Sequence, residues 1–501
     1  MPEPRIAWVS GQMSFALPEF GEAVQGKEHP LALISGTIIE TSPWGNRWRN
    51  GLVFKLAVKG FANRWPTSAP CLFTKGQSMD HLTFLAEHRQ ITRRFFIRAG
   101  VVTGLVPLKD LRKVEAAAKP NQSIKQAKHP KAGALPDPYF TKQDDFRDVS
   151  RGDPLPHSLS EEKKREVGLT RETWRLEVLS DANNPANIDK PLTKADNSAL
   201  DFASLLKLGE KQSVRFPKVM TCLNIGCPLG MGLWEGVPLR EIVQLAKPKE
   251  NLRRVFYHGY HNNDPKQVFR SSLSIGRVWE DPFDLPPVIL CYKLNGELLA
   301  SERGGPVRIV VPEDYGFKSV KWLSHLYLTN LATANDTYAE QGNDVESPMK
   351  TFAATLSLPR EVKAGEKIAA TGYAQVGIAG LSKVQVSIES DELPRQGDDP
   401  HFTKAKWVDA QLLKSPVTWS SLPGGKIPAN THGFDARGNP KTWPMRLTNA
   451  HWGAILPGLP KGKYTFRCRT IDEKGHAQPG PRPFRNSGHS KIESMVVIVK
   501  G

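Results

Sequence analysis

Cysteine is scarce in this chain, with five among 501 residues and no spacing that pairs them into a disulfide framework. No Cys-x-x-Cys-His run is present, so no covalent haem site and no haem domain is legible. No apolar run approaches the length of a membrane span. Zinc-finger spacing, recognition-helix patterns, RNA-binding aromatic motifs, coiled-coil heptads and internal repeats are missing as well. Acidic residues are the minority, 51 against 68 Lys and Arg, giving a formal charge of +17. That charge is dispersed, which argues against nucleic acid and leaves a small anionic ligand or substrate as the natural partner. The balance is ordinary for a soluble globular protein, 39% apolar and 24% charged. Its length predicts two or three domains, and 41 Gly with 40 Pro favour strands and loops over long helices.

Residues 1–78 show no sustained helical or alternating period and read as a non-native or disordered extension ahead of Met79. Further on, "ITRRFFIRAGVVTGLVPL" sets Arg93-Arg94 before a short apolar run, and "VEAAAKP" offers a small-residue cleavage site near Ala118. This order resembles a twin-arginine export signal, which makes 79–118 a signal peptide and the mature protein periplasmic. Residues 119–144, rich in Pro, Lys and small side chains, read as an exposed linker. Across 145–345, strands and short helices mix without a βαβ rhythm, which predicts an α+β domain. "TWRLEVL" and "PPVILCYKLNGELL" read as strands, the second entering an Asn-Gly turn, and "ALDFASLLKLG" as a short amphipathic helix ended by Gly209. Across 346–501, short alternating strands put Val384, Val386 and Ile388 on one face, and Tyr464, Phe466 and Cys468 on another. That pattern predicts an all-β antiparallel sandwich.

The cysteines differ by surroundings. Cys291 in "VILCY" and Cys468 in "YTFRC" read as core. Cys222 and Cys227 lie in "TCLNIGCPLGMGLWEGVPL", a Gly-rich stretch expected to form a loop. A zinc site wants further Cys or His close by, and a catalytic thiol wants a His base; the local sequence nominates neither. A single thiolate on a metal already held by an organic cofactor needs no such cluster.

"MTCLN…GLWEGVPLREIV" and, about seventy residues on, "YKLNGELLASERGGPVRIVVPEDYGFKSVKWL" together resemble the sulfite oxidase family of molybdenum enzymes. The likeness runs from about residue 145 to the end, with "KVQVSIESDE" and "YTFRCRTIDEKGHAQP" resembling the family's Ig-like dimerisation domain. It implies a sulfite-oxidase-type molybdopterin-binding domain of α+β class followed by an Ig-like sandwich, and a homodimer. It further implies a molybdenum-molybdopterin cofactor, with Cys222 matching the protein ligand to the metal. Arg308, Ser319, Val320 and Lys321 match positions that hold the cofactor, and His261 joins that set. "VSRGDPLP" resembles a cofactor-lining segment, bringing in Arg151, Gly152 and Asp153. Arg151 and Arg303 are then expected to bind cofactor and anionic substrate beside Cys222, as catalytic residues.

The chain also departs from the family. Sulfite-oxidising members carry arginines just after the ligand cysteine, where this chain has Leu223 and Asn224; they carry a His where Arg303 stands, and Tyr338 is only an approximate match for their pocket tyrosine. Sulfite is therefore the default expectation, with electrons leaving to a separate c-type cytochrome. A reductase of a sulfoxide or another oxyanion, or a cofactor-less Ig-like binding protein, are the rival readings.

Overall fold

The computed structural model describes residues 139–282, 284–391, 402–478, 487–488 and 490–501, together with two short strands near the start. The chain falls into two units, Met1–Thr74 and Lys75–Gly501. In the first, β1 (Trp8–Val9) and β2 (Gln12–Met13) pair antiparallel, with Trp8 opposite Met13. The rest of the 1–78 extension, the 79–118 signal and the linker up to residue 138 lie outside the described residues. Tyr139 and Phe140, expected in that exposed linker, are buried: their rings pack with Trp419, and Tyr139 donates to Thr448 Oγ1. Two adjacent aromatics remove too much apolar surface from water to remain outside.

Helix α1 (Glu161–Glu166) starts on the Ser160 side chain, which accepts from Lys163 N–H. One five-stranded sheet then orders β4 (Leu200–Asp201), β3 (Arg175–Ser180), β12 (Leu323–Thr329), β7 (Arg254–Gly259) and β8 (Arg270–Ser274). Its β3–β12 pair is parallel and the other pairs antiparallel. A second runs β10 (Glu297–Leu298), β9 (Ile289–Leu294), β6 (Pro228–Pro238) and β5 (Val214–Thr221), with β11 (Arg308–Val310) also on β9. The helices between are short: α2 (Phe202–Gln212), α3 (Leu239–Leu245), α4 (Ile275–Trp279) and α5 (Thr337–Glu340). The mixture is α+β, weighted towards β.

Two local expectations change. Helix α2 does not stop at Gly209 but runs to Gln212, because Gly209 is a packing position: a Cβ there would lie 2.3 Å from the Tyr292 hydroxyl. The Gly-rich stretch after Cys227 is not a loop either. It forms β6, whose glycines admit neighbours, as at Gly230, where a Cβ would meet the Phe146 ring at 2.5 Å.

The second half is all β. Its strands are β13 (Phe352–Ser357), β14 (Glu361–Lys363), β15 (Ile368–Gln375), β16 (Lys383–Ser390), β17 (Val408–Leu412), β18 (Asn449–Leu456), β19 (Gly462–Ile471) and β20 (Glu493–Lys500). They order as β13-β15-β18-β17-β16-β19-β20-β14. Ala370, Ala374 and Trp452 from one end of this series share a core with Val384, Val386, Phe466, Cys468 and Val497 from the other. The sheet therefore closes over its own apolar face. β17 makes the turn, pairing with β16 through Val408–Ala410 and with β18 through Gln411 and Leu412.

The halves interlock. Between β17 and β18 the chain returns to the first core, delivering Trp419, Leu422, Phe434, Met445 and Leu447. Val219 of β5 bonds the Leu447 carbonyl, and the Thr221 hydroxyl donates to Gln375 Oε1 on β15 at 2.5 Å. Strand β5, which ends one residue before Cys222, is thus held from both sides.

Candidate active site

A cavity of about 300 Å³ opens where β5 ends. Cys222 lines it, half-buried, in a turn closed by a bond from Gly226 N–H to the Cys222 carbonyl. Cys227 does not line it. Arg147 Nη1 approaches the Cys227 sulfur at 3.5 Å, and burial raises that thiol's pKa despite the nearby charge. Both cysteines are free thiols, and Cys291 and Cys468 are buried in the cores as expected.

Three cations gather at one end of the cavity. Arg308 leaves β11 fully buried, with Nη1 donating to the Arg303 carbonyl at 2.9 Å and Nη2 to the Ser319 carbonyl. Its Nε has no partner, and burial, reinforced by Arg303, lowers its pKa to about 10. Arg303 is buried as well and donates to the Phe146 carbonyl at 2.9 Å. Lys321 Nζ reaches Asp148 Oδ1 at 2.9 Å, Ser150 Oγ at 2.7 Å and the Glu302 carbonyl at 2.6 Å. Burial, with Arg308 beside it, brings Lys321 down to about 8. Asp148 is the carboxylate paired with this group. Burial pushes it up, but Ser150 and Lys321 outweigh that and hold it at about 2. Ser319 and Val320 line the cavity, and the Ser319 hydroxyl accepts from Val311 N–H.

The other end is aromatic. Tyr338 is set by the cap of α5, where buried Asp336 accepts from Ala339 N–H and from the Ser272 hydroxyl. Its ring stacks on Phe317 at 4.6 Å and meets Phe269 edge-on at 5.3 Å. Arg151 lies over Phe269 at 4.4 Å and reaches the Tyr338 hydroxyl at 3.4 Å, as Asn224 does at 3.1 Å. His261 lines the cavity and donates through Nδ1 to the Gly259 carbonyl at 2.8 Å, since a carbonyl only accepts. Burial, then His258 and Arg151, hold its pKa below the usual value.

The structure thus brings Cys222, Arg151, His261, Arg303, Arg308, Ser319, Val320 and Lys321 to one cavity. Gly152 and Asp153 do not line it; Asp153 is exposed, its N–H bonded to Gln267 Oε1. Arg303 meets Arg308 and Phe146, and Arg151 stands exposed at the mouth beside Phe269 and Tyr338. Phe269, Phe317, Asp148 and Ser150 were not singled out from sequence, and Asn224 was noted only as a departure from the family's arginines. Asn224, two residues after Cys222, was the most accessible of these, had it been considered as a donor in its own right.

The family model described as the oxidoreductase molybdopterin binding domain matches residues 166–337. This segment is a molybdopterin-binding oxidoreductase domain. The NADPH nitrate reductase of Fusarium oxysporum is 33% identical over 141 residues, 28% of this chain and 15% of that one. That of Beauveria bassiana is 30% identical over 107 residues, 21% of this chain and 12% of that one. The chain therefore spans only a small part of these relatives. The sulfane dehydrogenase SoxCD of Paracoccus pantotrophus superposes with a TM-score of 0.46 at 15% identity, over 80% of this chain and 99% of that one.

Molybdenum-molybdopterin is the cofactor of such a domain, and the cavity fits it. Arg308 carries a buried, unpartnered N–H, and Arg303, Arg308 and Lys321 line the cavity with no carboxylate among the lining residues, as a phosphate group requires. Among the described residues no cluster of three or more His, Cys, Asp or Glu could hold a metal alone. Among the residues that line the cavity, Cys222 supplies the one thiol, and Met220 adds only a neutral thioether.

Proposed function

We propose that this protein is an exported oxidoreductase of the sulfite oxidase type, which oxidises a small sulfur–oxygen substrate and passes electrons to a separate c-type cytochrome. The observation that carries the reading is Cys222 in the wall of a cavity whose far end is lined by Arg303, Arg308 and Lys321. When bound, molybdenum-molybdopterin supplies two-electron oxygen-atom transfer. Cys222 provides the thiolate for the metal. Arg308 and Lys321 take the cofactor's phosphate, Arg as a planar fork and Lys as a point charge, with Arg303 adding positive potential. Ser319 holds the Val311 backbone, and so the loop that carries Val320 and Lys321, in place. His261, its Nδ1 proton committed to Gly259, turns an accepting Nε2 lone pair to other partners. Arg151 and Tyr338 orient substrate at the mouth.

Sulfite is the first substrate to test, by sulfite-dependent dye reduction with molybdenum-loaded protein. Loaded protein that ignores sulfite but reduces a sulfoxide would move the reading to a reductase. Export rests on Arg93-Arg94 in their apolar context; changing both to Lys should leave precursor in the cytoplasm, since the pathway reads the arginine pair itself. The all-β half serves, in this reading, as an Ig-like domain that pairs two copies. Sedimentation at micromolar concentration showing only monomer would contradict that.

A further inference from the structure

The aromatic end of the cavity has two kinds of wall. Two donors of this end meet at one atom: Tyr338 Oη accepts from Asn224 Nδ2 at 3.1 Å and from Arg151 Nη2 at 3.4 Å, while His261, also in the lining, is tied to the Gly259 carbonyl. An amide NH2 and a guanidinium can only donate, so both phenol lone pairs are engaged and its own O–H is left to donate. Tyr338 is 4% exposed and lines the cavity, so that donor serves whatever enters. The surrounding wall is apolar, made of Phe269, Phe317, Leu223 and Ile225. Ile225 stands 41% exposed at the lip, beside the exposed Asn224. Positive charge at this end comes from Arg151, whereas Arg303, Arg308 and Lys321 cluster at the far end and Arg147, also in the lining, turns to the Cys227 sulfur.

An inorganic oxyanion presents oxygens on every side and wants donors on every side. Against this wall, oxygens turned towards Phe269, Phe317 and Ile225 lose water and gain nothing in return. A molecule with its oxygens at one end and an aliphatic group at the other satisfies both walls. Resting on the oxidoreductase reading above, we infer that the substrate is an organosulfur acid, a short alkanesulfinate, with its oxygens on Arg151 and Tyr338 and its chain against Phe269, Phe317 and Ile225. Asn224 is a positioning residue that holds the Tyr338 hydroxyl so that its proton faces the substrate. In the oxidising direction R–SO2⁻ takes one oxygen atom from water to give R–SO3⁻. The step forms one S–O bond, releases two protons to solvent and delivers two electrons to the external haem carrier.

The test is calorimetric titration of the molybdenum-loaded protein with methane-, ethane- and propanesulfinate and with inorganic sulfite. Affinity should rise about three- to fourfold for each added methylene, and propanesulfinate should bind more tightly than sulfite. Ile225→Ser, at an exposed site, should flatten the dependence on chain length. Tyr338→Phe should weaken every sulfinate by about tenfold and leave that dependence intact, and Asn224→Ala should act in the same direction more weakly. A flat series, or sulfite as the tightest ligand, would overturn the inference while a normal molybdenum content left the oxidoreductase reading standing. Protein that takes up no molybdenum would bring down that reading, and this inference with it.

Discussion

Lys321 and Arg151 are both basic residues of one cavity, and their surroundings make them behave differently. Lys321 is brought to about 8 by burial and by Arg308, so its charge is present below that pH and lost above it. Phosphate favours the protonated form, so retention of the pterin phosphate should weaken as pH rises past about 8. Bound phosphate moves this loss upward without changing its sign. Fluorescence of pterin released from loaded protein at increasing pH measures it, and Lys321→Arg, which keeps its charge, should abolish the dependence. Arg151 is exposed, so its pairing with an anion is screened. Arg151→Ala should raise the apparent KM for an anionic substrate by no more than about fivefold. Most of that effect should vanish in high salt, with molybdenum content unchanged. A loss of a hundredfold, insensitive to salt, would place Arg151 in a shielded pocket that this geometry does not contain.

At the level of elements, β5 governs the site because it ends one residue before Cys222. Lys218 within it is fully buried and donates to the Pro312 and Asp314 carbonyls, each at 2.7 Å. Burial, aided by Arg308 and opposed by Asp314 and Glu313, lowers its pKa from 10.5 to about 7. Between those values the unfolded chain holds a proton that the folded chain has released, so this residue makes stability rise with pH across that window. Thermal unfolding of Lys218→Met should lack that rise relative to wild type. It should also be destabilised overall by roughly 1–3 kcal/mol, from two buried carbonyls left without a donor. The strand pattern itself was legible. Alternation marked β3, β16 and β19, and Asn295-Gly296 marked the turn from β9 to β10, because those signals are local. β6 was hidden because its glycines answer to residues far along the chain, Gly230 to Phe146, Gly232 to Leu294 and Gly236 to the Leu290 backbone. The reach of α2 past Gly209 was hidden for the same reason, since Tyr292 fills the space a side chain would take. Tyr338 could be placed only once the buried Asp336 cap was seen to fix its short helix.

At the scale of the whole molecule, the cofactor cavity depends on both halves of the chain. The return of residues 413–448 to the first core, and the Thr221–Gln375 bond, tie the strand bearing Cys222 to the all-β half. No helix among the described residues is long and apolar enough to cross a membrane. The central claim is that this assembly presents one thiolate, Cys222, to one molybdenum. The direct test is molybdenum and pterin content per folded chain in wild type, Cys222→Ser and Cys227→Ser, each checked for native unfolding behaviour. Wild type and Cys227→Ser should carry close to one molybdenum per chain, and Cys222→Ser should lose the metal or its sulfur ligation, seen by X-ray absorption. Metal-free wild type, or loss of ligation in Cys227→Ser with Cys222→Ser intact, would contradict the account.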